Sequence, residues 1–440
     1  MNHPPPNICY LHCHDAGRHL GPYGYPVPTP NLDRLARGGV TFRNAFCVSP
    51  TCSPSRAGLL TGQYPHQCGQ FGLSNRGLPL QHVDRHVAGT LGAAGYRTAL
   101  VGVQHVARTE TDLPYDHVSP EIVGYAVGRA EQAATAASVA GRAEAWLDAH
   151  GRDGPWFLDA GTLETHTGTW KLLDDDELAT DPVARPPAFV PDVAEARSHY
   201  SRHIAMAKRL DRGVARILDK LDALGLADDT IVVFTTDHGL GIPTAKCNLT
   251  DAGLEVALLM RGPDLPTGSH VTAAVSHLDV LPTLLDLAGV DRPGWYEGTS
   301  LLPLLRGEVE RVHEATFGEI NVHGGPQPAR SVRTDRHKLI RRWHGPRALA
   351  DNTDDRPIKG VVLAAGWPEA SGPGRVAGEA TDVLYDLTLD PTERCDRSAD
   401  PAYAQAYADL TRRLEQWQRA TDDPLLRGVA ALPEPEAFAE

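Results

Sequence analysis

Several absences narrow the field before any motif is read. The seven cysteines are odd in number and no two are spaced Cys-x-x-Cys, so the sequence carries no disulfide framework. No apolar run is long enough to span a bilayer, which excludes a helical membrane protein. The opening Met1-Asn2-His3-Pro4-Pro5-Pro6 has neither a charged n-region nor an apolar h-region, so the chain as given reads as cytoplasmic. Basic charge is short: 42 Lys and Arg stand against 56 Asp and Glu, a net charge of −14. That balance argues against a nucleic-acid partner, although one cationic pocket can still oppose the overall field and take an anionic ligand. There is no internal repeat.

The 440 residues are enough for a large core. The texture changes past about Leu305, which predicts two domains, a larger one over residues 1–310 and a smaller one over 311–440. The 20 histidines fall at informative places.

One stretch organises the rest: Ser49-Pro50-Thr51-Cys52-Ser53-Pro54-Ser55-Arg56-Ala57-Gly58-Leu59-Leu60-Thr61-Gly62. Proline is tolerated in a first helical turn, so a helix begins at or next to Cys52 and ends at glycine. The free N–H groups and positive dipole end of that helix suit an anion. Arg56 adds a planar, permanently charged fork that matches a tetrahedral oxyanion.

Around it the chain alternates buried strands with helices. Asn7 to Cys13 reads as a strand ending in His14-Asp15; Thr29-Pro30 opens a helix that Gly38-Gly39 closes; Val40 to Phe46 leads towards Cys52. A strand over Tyr96 to Val101 runs into Gly102-Val103-Gln104-His105, and one over Trp156 to Gly161 runs into Thr162-Leu163-Glu164-Thr165-His166. Residues from about Ala130 to His150 and from His199 to Leu224 read as helices, the second with Ile204, Leu210, Val214, Ile217, Leu218 and Leu221 at helical spacing. The β-branched run Thr230 to Thr235 ends in Thr236-Asp237-His238-Gly239, and Gly253 to Pro263 reads as a further core strand. Leu172 to Pro191 reads as a surface loop at a substrate rim, and Gly345 to Ala380 as a loop over the cleft. The segments 315–321, 330–334, 338–342 and 383–387 read as short strands, and Thr411 to Ala420 as a closing helix.

Cys52-x-Pro54-Ser55-Arg56 running on to Leu60-Thr61-Gly62 resembles the signature of the type I sulfatases, within the alkaline phosphatase superfamily. The segments Thr29 to Ala36, Phe42 to Phe46, Val275 to Leu285 and Ser331 to Ile340 follow the same pattern, so the resemblance covers nearly the whole chain. It implies an α/β fold, a large mixed, mostly parallel sheet flanked by helices, with a smaller C-terminal antiparallel sheet plus helix. It implies that Cys52 is converted to formylglycine, the nucleophile, by a formylglycine-generating maturation enzyme. It places one divalent cation among Asp15, Asp237 and His238. His14 stands where the family has a further aspartate, and it joins the set as a ligand or supports it from behind. Calcium is the cation implied, with manganese or zinc the alternative because histidine favours softer ions. Arg56 would steady the nucleophile and Lys246 would hold a sulfate oxygen. His166 would protonate the leaving group, and His105 would take a proton as sulfate departs. His277 and Asp279 are read as structural. Val103 stands where the family has a pocket lysine.

Within the family, Phe42 to Phe46, the Cys52 block on to His66-Gln67, Gly239 to Asn248 and Trp417-Gln418 resemble the N-sulfoglucosamine sulfohydrolase branch. The substrate expected is therefore a sulfated small molecule or saccharide, an amino sugar in that branch, with no nucleic-acid or membrane partner and with a homodimer among the assemblies allowed. Two other readings stay open: a phosphonate monoester or phosphodiester hydrolase of the same superfamily, and a noncatalytic member that keeps the fold.

Overall fold

Strand β1 (Asn7–Cys13) is buried along its whole length, and its alternate side chains feed two separate apolar layers. Ile8 and Tyr10 enter one layer, Cys9, Leu11 and Cys13 the other. A strand covered on both faces needs no polar alternation, which is why it reads as a continuous apolar run. A computed structural model describes residues 4–119, 134–174, 177, 184–243, 245–343, 357–364 and 381–433 of the chain.

The remaining strands are β2 (Val40–Phe46), β3 (Arg97–Gly102), β4 (His117–Val118), β5 (Trp156–Gly161), β6 (Thr230–Thr236), β7 (Glu255–Val256), β8 (Leu258–Arg261), β9 (Ser269–Ser276), β10 (Thr316–Val322), β11 (Pro326–Arg333), β12 (His337–Arg342) and β13 (Thr381–Asp386). Among the described residues, the first nine form one sheet in the order β4-β3-β5-β1-β6-β8-β2-β7, with β9 paired to β2. β4, β3, β5, β1 and β6 run parallel, whereas β8 is antiparallel to both β6 and β2. The sheet is therefore large, mixed and mostly parallel.

Helix α1 (Pro30–Arg37) and the long helix Ala194–Ala223 cover one face, together with the helix Ala136–His150. The Asp211 carboxylate receives the backbone N–H groups of Asn31 (3.0 Å) and Leu32 (2.9 Å), capping the start of α1 from the long helix. Helix α2 (Cys52–Thr61) lies with the other layer, and all ten of its residues are buried. Gly62 ends it at φ 68°, a left-handed position that suits glycine.

Strands β10 to β13 make a second, antiparallel four-stranded sheet covered by the helix Ala404–Ala420. Leu410, Leu414 and Trp417 of that helix pack with Val332, Leu339 and Leu384. Val48 and Leu278 join the same cluster, so this sheet abuts the segment that leads into α2.

Three elements differ from the sequence reading. Gly253 to Pro263 is not one strand: a short helix, Asp251–Leu254, precedes β7, and Ala257 separates β7 from β8. β9 was not read at all, because its burial is only partial and it carries few large apolar residues. The segment 345–380 contains a helix, Pro357–Ala364, with Ile358 and Val362 packed against the main core, where a loop was expected. The rest of that segment lies outside the described residues, as do positions 130–133 and parts of 172–191. All seven cysteines are free thiols, six of them buried. Among the described residues no helix is long and apolar enough to cross a membrane.

Candidate active site

β1 and β6 are parallel neighbours in register, with Cys13 opposite Thr236. That register sets the residues just beyond each strand, His14-Asp15 and Asp237-His238, side by side although 222 positions apart, and the Asp15 N–H donates to Asp237 Oδ1 at 2.9 Å. β5 lies on the other side of β1, and its end leads to His166; β3 lies beyond β5, and its end leads to His105. Four described strands, β3, β5, β1 and β6, thus open their carboxyl-side loops at one edge, where parallel α/β sheets bind ligands.

α2 brings Cys52 to the same place. Its Sγ lies 3.3 Å from His238 Nε2, and one donor atom each from His14, Asp15, Cys52 and Asp237 lie within 4.8 Å of one another. His14, Cys52 and His105 form a second such group. Lys246 is buried and sets its ammonium 3.0 Å from Asp15 Oδ2. His166 Nε2 is 3.9 Å from the same oxygen, on the more open side of the pocket. All nine residues singled out in the sequence therefore converge. Val103 does not: its side chain packs with Ala134 and Leu163 in a small apolar cluster.

The protonation states follow from burial and neighbours. His14 is fully buried, and burial together with Arg56 pushes its pKa well below the ordinary value, so the ring is a neutral imidazole with one lone pair to offer. Burial opposes ionisation of Asp237, but His238, Arg56 and His14 around it hold the carboxyl well below the usual range. His238 Nδ1–H donates to the Gly239 carbonyl at 2.9 Å, which leaves Nε2 as the atom with the lone pair. His105 is also pushed down, by burial first and then by Arg56. His166 Nδ1 accepts the Gly168 N–H at 3.0 Å, so its Nε2 carries the proton in the neutral ring.

The Cys52 thiol is pushed well above its ordinary pKa by burial, against the opposing pull of Lys246. An unmodified thiol here stays protonated and is a poor nucleophile.

The donor set fits a divalent cation. His14 Nδ1 lies 3.2 Å from Asp237 Oδ2, whereas Nε2, equally buried, has no hydrogen-bond partner among the described residues. A buried polar atom without a partner needs an explanation, and a metal ion among two carboxylates and neutral imidazoles supplies one.

The sequence reading missed the residues behind Arg56. Its guanidinium reaches Asp237 Oδ2 (3.2 Å), the Cys13 carbonyl (3.0 Å) and His12 Nδ1, and His12 in turn reaches Asp159 Oδ1 at 2.8 Å. The only signals were a histidine and an aspartate inside otherwise apolar strands. His277 and Asp279 are structural as read: His277 Nε2 meets Thr235 Oγ1 at 2.9 Å, and Asp279 accepts the N–H groups of Ser276 and Thr299.

Comparison with known proteins agrees with this geometry. The family model described as Sulfatase matches residues 6–290, and one described as N-sulphoglucosamine sulphohydrolase, C-terminal, matches residues 245–356. Human N-sulphoglucosamine sulphohydrolase is 30% identical over an alignment covering 96% of this chain and 91% of that protein. A solved structure described as bound to its substrate D-glucosamine-2-N,6-O-disulfate shares the fold at TM-score 0.71 and 20% identity, covering 95% of this chain and 98% of that one. Phosphonate monoester hydrolase of Agrobacterium radiobacter shares it at TM-score 0.69 and 20% identity, covering 94% and 96%. With a family match over most of the chain and the signature helix seated at the strand ends, the chain belongs to the sulfatase family.

Proposed function

We propose that this sulfatase hydrolyses a sulfuric ester or sulfamate on a sulfated amino sugar, with a formylglycine derived from Cys52 as its nucleophile and one divalent cation, calcium by family likeness, held by Asp15, Asp237, His238 and His14. The observation that carries the reading is the seating of residue 52 at the start of α2, within 4.8 Å of donor atoms from His14, Asp15 and Asp237. The 30% identity to human N-sulphoglucosamine sulphohydrolase supports the amino-sugar substrate.

Formylglycine, as its hydrate, would supply two hydroxyls on one carbon at position 52, a nucleophile and a group able to release sulfate. The cation supplies positive charge to the sulfate oxygens. This chain's own residues do the rest. Attack on a shell of negative oxygens needs fixed positive groups, and Arg56 and Lys246 are buried cations held by Asp237 and Asp15, so they do not reorganise during the reaction. As the bond from sulfur to the sugar oxygen or nitrogen breaks, His166 delivers the proton on Nε2 to the departing atom. His105, held neutral, offers a lone pair for the proton that residue 52 then releases.

Three measurements on one sample test the reading: the mass of the peptide containing residue 52, the metal content, and rates on sulfated glucosamine, an aryl sulfate and an aryl phosphonate. The mass of an aldehyde or its hydrate, one divalent ion per chain and fastest turnover of the sulfated sugar are expected. Faster cleavage of the phosphonate would make the protein a phosphonate monoester hydrolase instead. A fully converted, metal-loaded sample inert to all three would make it a noncatalytic member.

A further inference from the structure

We propose that His12 and Asp159, with Tyr115 behind them, are positioning residues that aim the Arg56 guanidinium at residue 52. The inference rests on the role given above to Arg56. It comes from a chain of buried hydrogen bonds that ends on that side chain. Tyr115 Oη donates to Asp159 Oδ2 at 2.6 Å, and Asp159 Oδ1 meets His12 Nε2 at 2.8 Å. His12 Nδ1 meets Arg56 Nη1. His12, Asp159 and Arg56 are each no more than 3% exposed.

Donor and acceptor chemistry fixes the direction of every link. Arginine can only donate, so His12 Nδ1 must accept. An ionised Asp159 can only accept, so His12 Nε2 must carry the proton. Asp159 therefore selects the tautomer that Arg56 needs. Tyr115, also a donor, turns the second oxygen of Asp159 to the same end.

The backbone is shaped to admit this imidazole. A Cβ at Gly161 would lie 2.2 Å from His12 Cε1, so residue 161 must be glycine for the ring to sit there. Tyr10 stacks on the ring from within the same strand, at 4.7 Å between centroids. With Nη1 on His12 and Nη2 shared by the Cys13 carbonyl and Asp237, the guanidinium has no freedom to rotate. Its Nε–H alone has no hydrogen-bond partner among the described residues. On the same helix, Arg56 stands four residues, one turn, after Cys52, where side chains at i and i+4 meet. The relay thus commits two nitrogens of Arg56 to the protein and keeps the third for the oxygen borne by residue 52.

The test compares Asp159→Asn, His12→Phe and Tyr115→Phe with Arg56→Ala, each rate expressed per mole of aldehyde at residue 52. An asparagine at 159 can turn its N–H₂ to His12 Nε2, forcing the proton onto Nδ1 and against Arg56. Asp159→Asn and His12→Phe are expected to lower kcat by about 10- to 100-fold with KM within about threefold of wild type, as for other residues that act through a ligand's partner. Tyr115→Phe should cost about two- to fivefold, and Arg56→Ala more than any of them. A neutron structure of the wild-type protein should place deuterium on His12 Nε2 and none on Nδ1, a readout that needs neither a variant nor a substrate. Deuterium on Nδ1 would overturn the relay, as would an Asp159→Asn protein with kcat within twofold of wild type while Arg56→Ala is inactive. If Arg56→Ala itself keeps its kcat, the role of Arg56 falls, and the relay with it.

Discussion

Among the described residues, two buried arginines each face an aspartate, and the protein treats them differently. Arg330, on β11, gives Nε and Nη2 to the two oxygens of Asp423, both at 2.8 Å, and Nη1 to the carbonyls of Ile320 and Ala329. Gln418 adds a further donor to Asp423 at 2.9 Å. Every nitrogen of that guanidinium is engaged. Arg56 makes a single, longer contact with Asp237 at 3.2 Å and leaves Nε without a hydrogen-bond partner among the described residues. Burying a charge costs several kcal/mol, and only near-complete hydrogen bonding offsets that cost. The Arg330 pair meets the condition within the protein, so it acts as a fastener between the second sheet and the turn that follows its closing helix. The Arg56 site does not meet it, and neither does His14 beside it. Under the proposed function, a ligand would complete both.

The contrast can be attacked from either side. The largest effect belongs to residue 52: Cys52→Ala should lower turnover by at least ~10⁴-fold, as loss of a nucleophile does, while chemical denaturation shows stability within about 1 kcal/mol of wild type. A large loss of stability would mean that the thiol belongs to the core. Next is the fastener. Arg330→Met should cost about 3–5 kcal/mol in denaturant titrations, because Asp423 is left buried and unpaired, with kcat of the folded fraction unchanged. The matching change, Arg56→Met, should reverse the pattern: kcat falls by ~10²–10³-fold, and stability falls by less than in Arg330→Met. Equal stability losses in the two variants would erase the distinction between the two arginines.

The smallest effect sharpens the same rule at a third carboxylate. Burial raises the Glu164 pKa from 4.5 to about 7, only partly opposed by the Ala136 N–H that it accepts. Below pH 4.5 the folded and unfolded chains are both protonated there, and the group is neutral to stability. Between 4.5 and about 7 the unfolded chain gives up its proton first, so stability falls as pH rises, and above 7 the loss is constant. Glu164→Gln should therefore match wild type near pH 4 and exceed it at pH 8 by on the order of 2–3 kcal/mol, read from denaturation midpoints at the two pH values. A pH-independent difference would show that the Glu164 carboxyl titrates alike in the folded and unfolded chain.

Much of this centre could be read without coordinates, for a local reason. The start of α2, the end of β1 and the end of β6 each carry their message within a few consecutive residues: a proline in a first helical turn, an apolar run that stops at an aspartate, a β-branched run that stops at Asp237-His238. The expected α/β architecture is present, and so is the small antiparallel sheet. The errors lie where local signal is weak. β9 is only half-buried, so it lacks a clean apolar pattern. The helix Pro357–Ala364 sits inside a segment rich in proline, glycine and charge, which reads as loop.

The amino-acid order by itself placed Cys52 at the start of a helix, His14-Asp15 and Asp237-His238 at strand ends, and a cationic fork one helical turn after Cys52, because periodicity and capping act over a few residues; the roles expected of them came from the resemblance to the sulfatases. Only the tertiary structure decided that His12, Arg56, Tyr115 and Asp159 form one line of hydrogen bonds and that Arg330 is satisfied where Arg56 is not. Strand pairing and helix packing join positions with no sequence relation. A lone polar residue in an apolar strand shows its purpose only when its partner, far along the chain, is set beside it.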